Sequence, residues 1–244
     1  MQLVLLPGMD GTGELLAPFL AELPADLKPV VVRYPADQAL GYDELEPLLD
    51  SALPDAGPYV LLAESYSGPL AIRLAARGNS RLVAAVVVGS FARCPVGHWF
   101  SWLGRLLGPL CVRLPPPSWL IRRYLVGDDA PAELVAAVRS AVGTVAPAVM
   151  AKRIRETLAV DDRRLLPDIC VPVLYIAGSR DRQIMPSCAE DFQRPGTRFE
   201  VASIDAPHLI LQAQPVEAVR LIERFLRSVV AVENPSSTLG EECN

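Results

Sequence analysis

Tyr59-Val60-Leu61-Leu62-Ala63-Glu64-Ser65-Tyr66-Ser67-Gly68-Pro69-Leu70-Ala71-Ile72-Arg73-Leu74-Ala75-Ala76 passes from an apolar run through a serine corner into a helix-like pattern. The spacing predicts a strand, a sharp turn and a helix with Ser65 at the corner. In such a nucleophile elbow the strained serine backbone projects its hydroxyl from the sheet, and small residues two positions either side let strand and helix approach. Ala63 and Ser67 occupy those positions, replacing both glycines of the usual G-x-S-x-G. An A-x-S-x-S window also arises in alanine-rich helices, so the reading depends on what lies up and down the chain.

Outward from the elbow, short β-branched runs alternate with longer helical patterns, the mark of a parallel sheet with helices on both faces. Strands are expected at 3–6, 30–33, 59–62, 82–88, 173–177 and 198–202, most of them apolar enough to be buried on both sides. Helices are expected at 13–22, 42–52, 67–77, 186–193 and 215–229. Residues 91–162 break the alternation, with amphipathic stretches rich in Leu, Trp and Arg and no convincing strand. An all-helical insertion between parallel strands reads as a lid over the carboxyl edge of the sheet, or as a small separate helical domain. The expected organisation is therefore a core of 1–90 and 163–230, a helical lid at 91–162 and a flexible C-terminal tail at 231–244.

Composition bounds the function. The 244 residues are half apolar, enough for one large core, and the net charge of −5 without a lysine-rich block argues against nucleic acid. Five cysteines stand at 94, 111, 170, 188 and 243 with no C-x-x-C spacing, so neither a zinc site nor a disulfide framework is suggested. The opening residues resemble no signal peptide, and no stretch reaches the roughly 18 apolar residues of a membrane span. A cytoplasmic location follows as an expectation.

A serine hydroxyl needs a neighbouring base, nearly always histidine. Of the two histidines, His98 lies in the proposed lid beside Trp99 and Phe100, whereas His208 follows the last expected strand in Asp205-Ala206-Pro207-His208. In a parallel sheet that loop opens at the same edge as Ser65, so His208 is the expected base. Asp181, after strand 173–177 through Gly178-Ser179-Arg180, is the expected orienting carboxylate, because Gly89-Ser90-Phe91-Ala92-Arg93-Cys94 after the preceding strand offers none. Asp205 is its competitor. The oxyanion hole requires two backbone N–H groups. Tyr66, next to the nucleophile, should give one, and Met9 of Pro7-Gly8-Met9-Asp10-Gly11-Thr12-Gly13 the other. The glycines there should let the backbone approach a ligand, with Gly8 and Asp10 facing the substrate. This loop fits neither G-x-G-x-x-G nor a triphosphate loop.

With elbow, acid and base in that order, residues 1 to about 230 resemble the α/β-hydrolase superfamily. The branch opening with L-P-G-M-D-G-T-G looks nearest, and it includes plant esterase and acyltransferase relatives and bacterial proteins likened to pimeloyl-carrier-protein methyl ester esterases. The resemblance implies an α/β-hydrolase fold with a mostly parallel six-stranded sheet, and a cofactor-free serine esterase with no metal. Three departures stand out: Pro7-Gly8 replaces the common His-Gly, both elbow glycines are replaced, and the chain starts at the family's third strand. A serine nucleophile argues against the aspartate-based dehalogenases and epoxide hydrolases of the superfamily.

Trp99, Trp102, Trp119 and Tyr124 are the expected substrate-pocket residues of the lid. Arg105, Arg113, Arg122, Arg123, Arg139, Arg153 and Arg155 make the insertion basic, either to steer an acidic acyl carrier protein, with Arg122 and Arg123 as contacts, or as solvated helix faces paired with Glu133, Glu156, Asp161 and Asp162. The substrate is expected to be a small-molecule or acyl ester. Thioester hydrolysis, acyl transfer and a non-catalytic small-molecule receptor on the same fold stay open.

Overall fold

The computed structural model describes residues 1–96, 116–193 and 198–233. Among the expected features, His98, Trp99, Phe100, Trp102, Arg105 and Arg113 and the tail beyond 233 lie outside them.

Six parallel strands form one sheet in the order β2-β1-β3-β4-β5-β6. They are β1 (Gln2–Leu6), β2 (Lys28–Val31), β3 (Tyr59–Glu64), β4 (Leu82–Val88), β5 (Val173–Gly178) and β6 (Phe199–Ile204). Side chains alternate between two cores, as a pleated strand requires. Val4, Leu6, Tyr59, Leu61 and Ala63 face one side with Leu45, Leu49, Leu70 and Leu74. Leu3, Leu5, Val60 and Leu62 face the other, with Phe19, Ile222, Phe225 and Leu226. Helices α2 (Tyr42–Ala52) and α3 (Gly68–Ala76) therefore cover one face, and α1 (Ala17–Ala21) and the C-terminal helix (Pro215–Glu233) cover the other.

Several elements differ from the sequence expectation. β2 lies two residues earlier than 30–33 because it is an edge strand, fixed by pairing Gln2 to Lys28 and Val4 to Val30 rather than by apolarity. Pro29 is tolerated there because an edge strand has one side without a ladder. The expected helix 13–22 is a 3-10 turn, Glu14–Leu16, followed by α1, and 186–193 contains a single turn, Ser187–Glu190. The last helix continues to Glu233, into the stretch expected to be tail.

Between β4 and β5 the described residues are helical: α4 (Ser118–Ile121) continuing into a π-helical stretch Arg122–Val126, then α5 (Ala132–Gly143) and α6 (Pro147–Ala159). The two ends of this insertion meet. Cys94 N–H donates to Val160 O at 2.9 Å and Asp162 N–H to Ala92 O at 2.7 Å. Asp162 is then held by Arg73 of α3, from Nε at 2.7 Å and Nη2 at 3.3 Å. Ile121, Val126, Val135 and Val138 pack with Leu15 and Leu209 of the core. Among the described residues no single helix is long and apolar enough to cross a membrane.

Candidate active site

All six strands end at the same edge, so the loops after β1, β3, β5 and β6 converge there, and this is where open parallel sheets collect their ligands. At the end of β3, Ser65 has φ of 51°, the one non-glycine residue with positive φ among the described residues. A serine in the left-handed region is strained and persists only when its surroundings fix it. Ser90, after β4, donates to Ser65 O, and Tyr42 Oη donates to Tyr66 O at 3.0 Å. Gly68 is required by close approach: a Cβ there would fall 1.9 Å from Ser90 Oγ.

Ser65 Oγ lies 2.9 Å from His208 Nε2, and His208 Nδ1 lies 2.8 Å from Asp181 Oδ2. Asp181 and His208 are nearly buried, so little water competes. Burial pushes the Asp181 carboxyl up, but the His208 charge and hydrogen bond and the N–H groups of Gln183 and Ile184 outweigh it, and the net shift is downward. An ionised Asp181 accepts from the Nδ1–H of His208, and in the neutral imidazole this leaves Nε2 free to accept from Ser65. Leu209 N–H binds Leu125 O of the insertion at 2.9 Å, fixing the loop that carries the imidazole. Asp205 is exposed and binds Ser179 Oγ and Arg180 Nε, so Asp181 is the carboxylate brought to the imidazole.

The loop after β1 is held at every carbonyl from Pro7 to Thr12. Ser67 Oγ–H donates to Pro7 O, Gly11 N–H to Gly8 O, and Arg153 Nη1 to Met9 O and Asp10 O. Tyr34 N–H and Arg33 Nε complete the series on Gly11 O and Thr12 O. Met9 N–H has no partner among the described residues, and Met9 and Ser65 line the same cavity. Tyr66 stands in the first turn of the helix that follows Ser65, where N–H groups lack intrahelical acceptors. Gly11 and Gly13 make room for protein rather than for a ligand: a Cβ on Gly11, at φ +71°, would lie 2.8 Å from Arg153 Nη1, and one on Gly13 2.4 Å from Val31.

The cavity over Ser65 measures about 700 Å³ and is mainly apolar, walled by Phe91, Leu120, Ile121, Leu158, Ile184 and Met185. Tyr124 lines it as expected, but Trp119 points to solvent with 66% of its surface exposed and is not part of the wall. Gly8 and Asp10 are not part of it either, because Asp10 turns back to bind Thr12 N–H at 3.0 Å and Thr12 Oγ1 at 2.5 Å. Arg122 is committed to the Asp128 and Ala130 carbonyls, whereas Arg123 is exposed. The expected acidic partners of the insertion's arginines are engaged elsewhere, Asp162 with Arg73, Asp161 with Arg163 and Glu156 with Lys152.

Two buried charged groups were not legible as site residues. Arg153, expected on the basic surface of the insertion whether for steering a carrier or as a solvated face, is 1% exposed. Glu64, next to Ser65, is buried, and its Oε2 accepts from Gln212 Nε2 at 3.2 Å while Oε1 has no partner. Burial pushes the Glu64 carboxyl up to about 7, with the Gln212 hydrogen bond acting against it. The signal for both was positional, since each falls on an otherwise buried strand or helix face. Among the described residues no group of three or more His, Cys, Asp or Glu side chains could hold a metal ion.

The chain has the α/β-hydrolase fold. Solved structures that superimpose on it include a hydrolase from Oleispira antarctica, with a TM-score of 0.77 at 15% identity over 93% of this chain and 90% of that one. The enol-lactonase of Burkholderia xenovorans LB400 gives 0.77 at 18% identity over 93% and 91%, and a thermophilic esterase of Thermogutta terrifontis, with malate bound, 0.77 at 19% over 94% and 90%. No protein-family model matches the sequence, and no curated protein matches it.

Proposed function

We propose that the chain is a serine hydrolase of carboxylic esters with an apolar acyl group, working through an acyl-enzyme intermediate. The observation that carries this reading is the pair of hydrogen bonds, 2.9 Å and 2.8 Å, joining a serine in a left-handed backbone to His208 and Asp181 at the floor of an apolar cavity. Ser65 Oγ attacks the acyl carbon as its proton passes to His208 Nε2, and the carbonyl oxygen becomes an oxyanion received by Met9 and Tyr66 N–H. Collapse breaks the bond to the alkoxy oxygen, which leaves as the alcohol with the proton from His208. Water then attacks the acyl-enzyme, giving its proton to His208, and the acid departs as Ser65 recovers its hydroxyl. Asp181 holds the imidazole and offsets its charge throughout. The structurally similar proteins include an esterase and an enol-lactonase, which supports ester chemistry.

An acyl-carrier-protein methyl ester is the specific substrate that the sequence resemblance brings forward, with exposed Arg123 available to meet an acidic carrier. The test is hydrolysis of a p-nitrophenyl ester series of increasing acyl length by the wild type and by Ser65→Ala. A loss of several orders of magnitude in the variant, with fold retained, is the expected result. Retained turnover in Ser65→Ala would overturn the reading, and tight ester binding without turnover by the wild type would make the chain a receptor. A carrier substrate preferred at 0.1 M salt and not at 1 M, where the Debye length falls from about 10 to about 3 Å, would support the carrier ester.

A further inference from the structure

Helix α6 of the insertion buries Val149, Met150, Arg153, Thr157 and Leu158, positions that share one face at helical spacing. Val149 and Met150 pack with Met9. Arg153 enters the core between them and the loop after β1, where its Nη1 reaches Met9 O at 2.8 Å and Asp10 O at 2.9 Å and its Nη2 reaches Pro35 O at 2.9 Å. Its guanidinium stands over the Tyr34 ring at 5.7 Å, and no carboxylate lies within salt-bridge distance of it among the described residues.

A buried cation with no salt-bridged acid is expensive to keep, and here three backbone carbonyls and the Tyr34 ring offset that cost. What the arginine does that an apolar residue could not is bind two consecutive carbonyls of the oxyanion loop at once. Those carbonyls follow the Gly8–Met9 peptide whose own carbonyl is tied to Gly11 N–H. The backbone on both sides of Met9 N–H is thereby fixed, and that N–H stays without an internal acceptor. Gly11 belongs to the same device, because any larger residue there would collide with the guanidinium.

We propose that Arg153 is a positioning residue of the oxyanion hole, by which the helical insertion fixes the backbone of Met9 in the cavity that Ser65 also lines. This rests on the serine-esterase reading. Oxyanion donors act through preorganisation, and loss of one costs about 10²–10³ in turnover. A loosened donor should cost less, roughly 10- to 100-fold.

The experiment uses the full chain with Arg153→Lys, which keeps the charge but cannot span the three carbonyls, and Arg153→Met, which removes it. Active sites are counted with a fluorophosphonate, and kcat and KM for one p-nitrophenyl ester are expressed per labelled site, together with the Ki of a trifluoromethyl ketone. The expected result is a kcat per site lower by roughly 10- to 100-fold with KM within about threefold, and a Ki raised in step with the fall in kcat/KM. If Arg153 only props the fold, labelled protein and Tm will fall while kcat per labelled site stays within about threefold, and that outcome in Arg153→Lys overturns the proposal. A wild type that neither turns over nor labels overturns the esterase reading and this inference with it, so the two failures are told apart by the wild type alone.

Discussion

The Ser67 hydroxyl donates its proton to the Pro7 carbonyl oxygen and, having none left to give, accepts one from Tyr34 Oη at 2.6 Å. The residue that replaces the second elbow glycine thus joins the Ser65 turn to the end of β1, where the Pro7–Gly13 loop begins. Both partners are buried. Ser67→Ala removes a donor and an acceptor and leaves Pro7 O and Tyr34 Oη unsatisfied, which should cost about 1–3 kcal/mol of stability. The shift in urea midpoint measures it, and a double-mutant cycle with Tyr34→Phe should show coupling. Independent, additive losses would mean the two hydroxyls do not act together.

Asp181 lies three residues beyond the end of β5 and Asp205 three residues before His208, yet only Asp181 meets the imidazole. Asp181→Asn is expected to lower ester turnover by on the order of 10⁴-fold, the loss seen when the orienting acid of a serine triad is neutralised. Asp205→Asn breaks exposed contacts with Ser179 and Arg180 and should change turnover less than severalfold. Steady-state kinetics on both variants decide it, and equal losses would remove Asp181 from its role.

Glu64 predicts a pH dependence of stability. Its folded-state carboxyl titrates near 7, above the ordinary 4.5, with burial the largest cause and Asp10, His208 and Gln212 as the neighbours that act on it. The neutral form is the one the fold favours, so its stabilisation is fully present below about pH 4.5, fades as pH rises to about 7 and is absent above. Glu64→Gln keeps a neutral side chain, which Gln212 can meet by turning its unpartnered Oε1 toward it. The variant should gain on the wild type by a few kcal/mol between pH 5 and pH 8, read from urea unfolding at both. Parallel pH profiles for the two proteins would exclude an ionising Glu64.

The parts legible in the sequence were those governed by chain order and local pattern. Ser65, Asp181 and His208 each follow an apolar strand, so a parallel sheet places them at one edge without any knowledge of packing. β2 was misplaced because an edge strand takes its register from one neighbour, and Val30 and Val31 outweigh Lys28 in any apolarity count. Trp119 reads as a pocket residue from its apolar, aromatic side chain, whereas on α4 it faces solvent. Arg153 was hidden for the opposite reason. Arginine is read as solvated, yet its place four residues from both Val149 and Thr157 puts it on the buried stripe, and three backbone carbonyls, not an acid, receive it.

The bonds from Arg153 of α6 to the Pro7–Gly13 loop bear on how this scaffold can be re-engineered. Helical insertions are natural targets for exchange between hydrolases, on the view that a cap decides which substrate enters and the core performs the reaction. Here the two are not interchangeable parts. A transplanted cap that lacks a fork-shaped cation opposite Gly11 would leave Met9 O, Asp10 O and Pro35 O facing an empty space, and a minimal core made by deletion would inherit the same defect. A chimera of this chain must bring its own arginine or replace the whole Pro7–Gly13 loop along with the cap.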